Sequence, residues 1–421
     1  MQRLRRAVYI SYDGMEDPLG QSQVLPYLRK LADRGHRFEL ISFEKTAPTR
    51  FREKIYPGVR WTALRYHKDP TVPATAFDMA QGALTSMMTA LVRRADLVHV
   101  RSYVAGTLAL PLVRLARRPF LFDMRGLWAD ERVEDGVWSK EGRVYRGAKL
   151  VERQLVARAD AITVLTNSMA RYLRDESAFK DVIRAGIRVI PTCTDLDRFN
   201  VTVAPDPELQ AQLQGSRVLV YVGSFGGRYL AEDMARLYLK WRGHVSSSRF
   251  LVVSRQTPTQ IRDVLAEAGC ADEIVHRSAR YEQVASFVRC GHAGVFFHPP
   301  TFTNRGAAPT KSGEMLACGL PLAGNLVGDV PDVLERSKVG VALRTFDDDA
   351  LEAAAASLAR LSKLPDIAQR ARQTAERWFS LDRAIDGYDQ IYQTVSVGAA
   401  GGRVDDRRWP ASASAQQVAN A

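Results

Sequence analysis

The stretch SRVLVYVGSFGGRY, residues 216–229, decides how this chain is organised. Its opening RVLVYV is a short, β-branched apolar run, the pattern of a strand covered on both faces. Gly223, Gly226 and Gly227 follow, and then LAEDMARLYLKW (230–241) takes up a helical period. Strand, glycine loop and helix form the start of a βα unit, and this one begins in mid-chain. The same order of events opens the sequence. RAVYISY (6–12) reads as a strand and DGMEDPLGQ (13–21) as a polar glycine loop. The spacing then predicts a helix over 22–36, with Val24, Leu25, Leu28, Leu31 and Ala32 on one face and Gly35 as its stop. RFELISFE (37–44) is the next strand.

Further short apolar strands alternate with helical patterns on both sides of the restart. ADLVHVRS (95–102), PFLFDMRG (119–126), DAITVLTN (160–167) and IRVIPTCTDLDRF (187–199) precede it. RFLVVS (249–254), DEIVHR (272–277) and AGVFFHPP (293–300) come after it. This alternation predicts an α/β protein of two Rossmann-like, doubly wound domains facing across a cleft. The expected bounds are 1–200 for the first domain and 201–375 for the second, with a joint at Asn200–Gly215. A closing helix over 376–396 is expected to return to the first domain, and 397–421 has the composition of a disordered tail. In such sheets ligands bind beyond the carboxyl ends of the strands.

Composition narrows the class. Of 421 residues, 46% are hydrophobic and 25% charged, values of an ordinary globular protein. The basic start reads as a first strand, since its apolar run is too short for a signal peptide. Cys193, Cys270, Cys290 and Cys318 are scattered, which indicates neither a disulfide framework nor a zinc site and fits a reducing, cytoplasmic setting. The net charge of +12 is divided unequally: residues 1–200 carry +11 and the remainder +1. A basic first half points to an anionic partner for that half.

Three loops carry candidate chemistry. In the first, Gly223, Ser224, Gly226, Gly227 and Arg228 let backbone and guanidinium approach a phosphate at a helix start. The second is AAPTKSGEMLACGLPLAGN (307–325), where Pro309 and Thr310 start a helix and Gly319 ends it. Lys311 lies at the end of the helix that repels cations, which makes sense if an anion comes to rest there. Glu314, one turn on, suits the 2′- and 3′-hydroxyls of a ribose. Capping plus an i,i+3 ion pair is the other reading of the pair. The third loop, FDMRGLWADERVEDGVW (122–138), holds Asp123, Arg125, Asp130 and Glu131. Local Arg–Asp pairing is its alternative. His99 and Arg101 border the same region, with His99 more readily a packed histidine. His298 ends a second-domain strand and suits ligand contact or scaffold equally. Asp195 and Asp197 spell D-x-D, but in a pre-linker position that does not suit a metal.

The run GEMLACGLP (313–321), followed by Gly328-Asp329, resembles the donor-site helix of retaining GT-B glycosyltransferases of the large family-four group. DPLGQSQVLPYL resembles that group's first loop and helix, VIPTCTDLDRF its pre-linker segment and DRAIDGYDQIYQTV its closing helix. One departure stands out. The group carries two glutamates separated by seven residues; Glu314 matches the second, and Gly306 occupies the place of the first.

The resemblance implies sugar transfer from a UDP- or GDP-type nucleotide sugar, with retention and with neither cofactor nor metal. Asp123, Arg125 and Lys311 are then the catalytic candidates. Donor contacts fall to Gly223, Ser224, Gly226, Gly227, Arg228, His298, Pro309, Thr310, Lys311 and Glu314. Gly20, Arg101, Asp130 and Glu131 fall on the acceptor side. A glycan or polyprenyl-diphosphate-linked acceptor of cell-surface polysaccharide synthesis would explain the basic first half. Arg143, Arg146, Lys149 and Arg153, with Val144, Ala148, Val151 and Leu155 on another face, form a basic amphipathic helix able to lie on an anionic inner membrane face. A nucleotide-sugar 2-epimerase or a phosphorylase of the same fold is the nearest alternative. A basic nucleic-acid-binding protein lacks interleaved aromatics and a recognised module, and a dehydrogenase lacks the dinucleotide fingerprint.

Overall fold

The computed structural model describes residues 4–46, 54–67, 69, 71–227, 229–266, 269–397 and 409. Arg228 and, apart from Val397 and Trp409, the 397–421 tail lie outside the described residues. The chain forms two compact units, Met1–Pro191 with Asp382–Ala421, and Thr192–Leu381. The passage between them falls upstream of the Asn200–Gly215 stretch. Among the described residues no helix is long and apolar enough to cross a membrane.

In the first unit the described strands are β1 (Arg6–Ser11), β2 (Arg37–Glu44), β3 (Lys54–Tyr56), β4 (Val59–Arg65), β5 (Leu97–Arg101), β6 (Phe120–Asp123), β7 (Ala161–Val164) and β8 (Gly186–Val189). They form one sheet in the order β3-β4-β2-β1-β5-β6-β7-β8, parallel except for the β3–β4 hairpin. The strands from β1 to β4 grow one way and those from β5 to β8 the other, so the order reverses between β1 and β5. Side chains of β5 are buried along its whole length, His99 and Arg101 included.

The helix expected over 22–36 is broken. One helix spans Pro18–Gln23 and a second Leu25–Asp33, with Val24 between them in a non-helical conformation. Pro26 is the reason: it has no N–H to continue the ladder. The preceding glycine loop is fixed from a distance. Glu44, at the end of β2, accepts the backbone N–H of Met15 at 2.8 Å and of Glu16 at 3.3 Å, and Ser42 donates its hydroxyl to the same carboxylate. A Cβ on Gly20 would stand 2.2 Å from the carbonyl oxygen of Gly14, so only glycine lets the helix start there.

Residues 382–394 of the Leu381–Thr394 helix pack into this unit. Asp389 pairs with His36 at 2.8 Å, Arg5 donates to the Tyr392 carbonyl at 2.7 Å, and the Tyr392 hydroxyl meets His99 Nδ1 at 2.7 Å. Tyr392 is fully buried.

The second unit holds β9 (Arg217–Val222), β10 (Ser248–Val253), β11 (Ile274–Arg277), β12 (Ala293–Val295), β13 (Leu322–Asn325) and β14 (Gly340–Leu343). They are parallel, in the order β11-β10-β9-β12-β13-β14. Here the order reverses between β9 and β12. Both openings recognised from sequence, RAVYISY and RVLVYV, therefore lie at a reversal point, where the loops after adjacent strands diverge and leave room for a ligand.

Candidate functional site

In the first unit the register lines up four strand ends. Ser11 of β1 is paired with Arg101 of β5, Arg101 with Asp123 of β6, and Asp123 with Thr163 of β7. Arg101 and Arg125 approach the same Asp123 oxygen at 3.7 and 3.5 Å, while Thr163 donates to the other at 2.9 Å. Gln23, from the broken helix, accepts both arginines at 2.7 and 3.0 Å, and Asp13 holds Arg101 at 3.3 Å. Burial by itself would raise the Asp123 pKa. The Arg125 and Arg101 guanidiniums, with the Thr163 hydroxyl, outweigh it and hold the carboxyl below the ordinary carboxylate range. The result is a fixed two-arginine, two-aspartate cluster at the sheet's reversal point.

The neighbouring candidates are placed differently. Asp130 accepts from Tyr145 and from Lys149, both at 2.8 Å, and so ties the Trp128–Glu134 helix to the Arg143–Arg158 helix. Glu131 packs over Gly126, where a Cβ would meet its Oε1 at 2.6 Å. His99 is enclosed by Tyr9, Tyr388 and Tyr392, and burial lowers its pKa to about 4, so it is a neutral packing group. On the Arg143–Arg158 helix the expected faces are not those observed. Leu155 is buried, but Val144 is exposed, and Lys149 is turned onto Asp130 and Glu152 and away from any external anion.

In the second unit the site is built around Lys311 and Glu314. Gly313 allows their Thr310–Ala317 helix to seat. A Cβ there would fall 2.4 Å from Thr194 Oγ1 and 2.9 Å from Phe379. Pro309 is the N-cap and Thr310 the first helical residue. Lys311 is only 8% exposed. Its Nζ donates to the Tyr221 hydroxyl at 3.0 Å and lies 4.3 and 3.8 Å from the ring centres of Tyr221 and Tyr229. Tyr221 in turn donates to the Ser224 carbonyl. The lysine thus braces the glycine loop through a phenol. Burial lowers the Lys311 pKa to about 7, against the pull of Glu314.

Gly223, Gly226 and Gly227 have φ of +120°, +86° and +64°, conformations that side chains resist. At Gly223 a Cβ would also stand 3.0 Å from Lys311 Nζ. Not every amide of this loop faces outward: the Phe225 N–H is already donated to Gln256, whose Nε2 also bonds the Phe225 carbonyl at 3.0 Å. A phosphate here would have to use the other amides of the loop.

Glu314 is 7% exposed. Among the described residues its carboxylate has no hydrogen-bond partner and no ion pair within 4.0 Å. Burial raises its pKa to about 7, against the pull of Lys311 and Arg198. Arg198 stacks on Tyr281 at 4.6 Å. Asp195 caps the turn ahead of it, receiving the N–H groups of Asp197 and Arg198 at 3.1 and 3.3 Å. Three residues beyond β12, His298 is clamped by Asn325, which accepts its N–H at 3.0 Å and donates to its carbonyl at 2.7 Å. The His298 ring meets Tyr229 edge-on at 4.9 Å. Sequence reasoning missed Tyr221, Tyr229, Gln256 and Asn325. Tyr221 alone had a signal, a polar tip within an apolar strand just before the glycine loop.

The first unit and the overall fold are similar to known proteins. Residues 20–193 match the family described as glycosyl transferase 4-like domain. No curated protein matches the chain in sequence. Among solved structures, a glycosyltransferase from Rickettsia africae is 13% identical with a TM-score of 0.70, over 93% of this chain and 98% of that one. Sucrose-phosphate synthase from Thermosynechococcus elongatus is 16% identical with a TM-score of 0.67, over 92% and 98%. WaaG, a glycosyltransferase involved in lipopolysaccharide biosynthesis, is 15% identical with a TM-score of 0.65, over 92% and 100%. Residues 20–193 are thus similar to the glycosyl transferase 4-like domain family, and the chain has the GT-B fold seen in these glycosyltransferases.

Proposed function

We propose that the chain moves a sugar, with retention, from a UDP- or GDP-type nucleotide sugar to a glycan or lipid-linked acceptor. The observation that carries this reading is the isolated Glu314 carboxylate. A buried acid without a partner is costly, and a ribose diol supplies two neutral donors without adding charge. Lys311 sits one turn nearer the helix start, where a diphosphate would also meet the positive helix end. Binding that anion would restore the charge that burial takes from the lysine. A trehalose-6-phosphate protein of the same fold is described as bound to UDP-2-fluoro glucose, and HepE as in complex with UDP and glucose, which supports a nucleotide-sugar donor.

In the mechanism proposed, the glycosyl–phosphate bond breaks as charge builds on the leaving diphosphate. Lys311, the free amides of 224–227 and Arg228 stabilise that charge, and Pro309, Thr310 and His298 shape the donor pocket. The leaving phosphate takes the acceptor's proton, so no side-chain nucleophile and no metal are required. On the acceptor side, Asp123 and Arg125 act at the reacting end, Gly20 and Arg101 build the floor, and Asp130 and Glu131 position the flanking helix. An acceptor held at the inner membrane face, as in cell-surface polysaccharide synthesis, fits the exposed apolar Phe77, Leu84, Met88 and Leu91 on the Thr71–Val92 helix, followed by Arg93 and Arg94. The protein would then be cytoplasmic and peripheral to that membrane.

The test is a panel of nucleotide sugars, reading nucleotide diphosphate release and the anomeric form of the product by NMR. Lys311→Ala should slow transfer by roughly a hundredfold, as loss of one charge-stabilising donor does. Glu314→Ala should weaken nucleotide binding. Unchanged affinity in both variants, or release of a free epimerised sugar without acceptor, defeats the proposal.

A further inference from the structure

The amino edge of the first sheet carries a second feature. A pocket of ≈ 320 Å³ is lined by Arg114, Arg117, Arg118, Arg158 and Arg184, with Asp160 as its one acid. These residues stand where three crossovers re-enter the sheet, just ahead of β6, β7 and β8. Arg101 and Asp123 end their strands at the opposite edge, and four residues of β6 span about 13 Å. The pocket is therefore separate from the cluster described above.

Among the described residues, the guanidiniums of Arg117, Arg118, Arg158 and Arg184 have no hydrogen bond, ion pair or ring contact. Arg114 donates only to Gln154, at 2.6 Å. The Asp160 carboxylate is already engaged with the backbone N–H of Phe120 at 2.9 Å. Arginines often complement the negative carboxyl ends of helices, and two helices, Ser102–Ala116 and Arg143–Arg158, end here. Each end is worth only about half a charge. With Asp160 also counted, about three positive charges remain unmatched. Arg117 is moreover held at φ 46°, ψ 45°, a left-handed conformation that non-glycine residues seldom adopt.

We propose that this pocket binds a phosphoryl anion, with diphosphate as the match in charge. Guanidiniums pair bidentately with phosphate oxygens, and several on one wall favour a polyvalent group over chloride or a lone carboxylate. The site does not rest on the donor-site reading. Its ligand can come from solution, as free diphosphate, or from a lipid whose headgroup ends in a phosphomonoester.

The experiment titrates pyrophosphate into the full-length chain by calorimetry, alongside sedimentation with phosphatidylcholine vesicles containing phosphatidic acid. Three proteins are compared: the parent, Lys311→Ala, and the double variant Arg118→Ser with Arg158→Ser. The arginines are exposed, so the double variant should keep its melting temperature. Pyrophosphate binding should survive in Lys311→Ala and weaken by at least about tenfold in the double variant, since each charge-assisted bond is worth that much. Arginine-dependent vesicle capture that pyrophosphate competes away assigns the site to a lipid headgroup; arginine-dependent pyrophosphate binding without capture assigns it to a soluble anion. If the parent binds neither probe, or if the double variant binds both as the parent does, the proposal is overturned.

Discussion

Lys311 and Glu314 are both driven toward neutrality by burial, to about 7 in each case, and under the proposed function this sets how donor binding should depend on pH. A diphosphate favours the charged lysine and raises its pKa in the complex. Affinity on that account is complete below about pH 7 and declines as the pH rises above it. A ribose diol favours the ionised glutamate and lowers its pKa, so affinity on that account is lost as the pH falls below about 7. Binding of UDP-glucose or GDP-mannose, whose phosphates do not titrate in this range, should peak near neutrality, with flanks no steeper than about tenfold per pH unit. Glu314→Gln should remove the acid flank and Lys311→Met the alkaline one; a flat profile in the parent protein contradicts both roles. Asp123 gives a different expectation. Its carboxyl is held below the ordinary range, so its contribution to stability is complete above about pH 4 and is lost as the pH falls through the native value. Asp123→Asn should lower the melting temperature at neutral pH, by the equivalent of about 3 kcal/mol, and flatten its acid dependence.

At the level of elements, close packing sets the tightest constraint on the Thr310–Ala317 helix. Gly313→Ala adds one methyl group against Thr194 and Phe379. Overpacking of this sort costs about 1–3 kcal/mol, and differential scanning calorimetry should show the second unit melting earlier. The order of strands and helices was legible because apolar runs, glycine loops and helical periods are local signals. The candidate helix with Lys311 and Glu314 was legible for the same reason, two charges on a short turn of small residues. What could not be read are the partners supplied from far along the chain. Tyr221 reaches Lys311 across 90 residues and Gln256 reaches Phe225 across 31. Glu44 anchors a loop 28–29 residues earlier. The break at Val24 had a local cause in Pro26, but the apolar spacing through it was continuous and concealed it.

For the molecule as a whole, transfer should persist in excess EDTA, measured as nucleotide diphosphate release; an absolute requirement for a divalent cation would contradict the proposed mechanism. The first unit is assembled from both ends of the chain, with Tyr392 and Asp389 placed against His99 and His36. A fragment ending at Pro191 should therefore be poorly soluble, and recover when the segment from Asp382 is supplied. The second unit is an insertion, and its entry and exit run side by side. Thr194 donates its N–H to the Phe379 carbonyl at 2.7 Å and accepts that of Leu381 at 3.2 Å, as in a parallel bridge. Paired strands lie about 5 Å apart, a gap that two or three glycines can close. The 190 intervening residues can thus be regarded as a cassette: excised and replaced by such a splice, they should leave behind a self-sufficient first unit. Conversely, one protease nick in either crossing should leave the two units joined by the other.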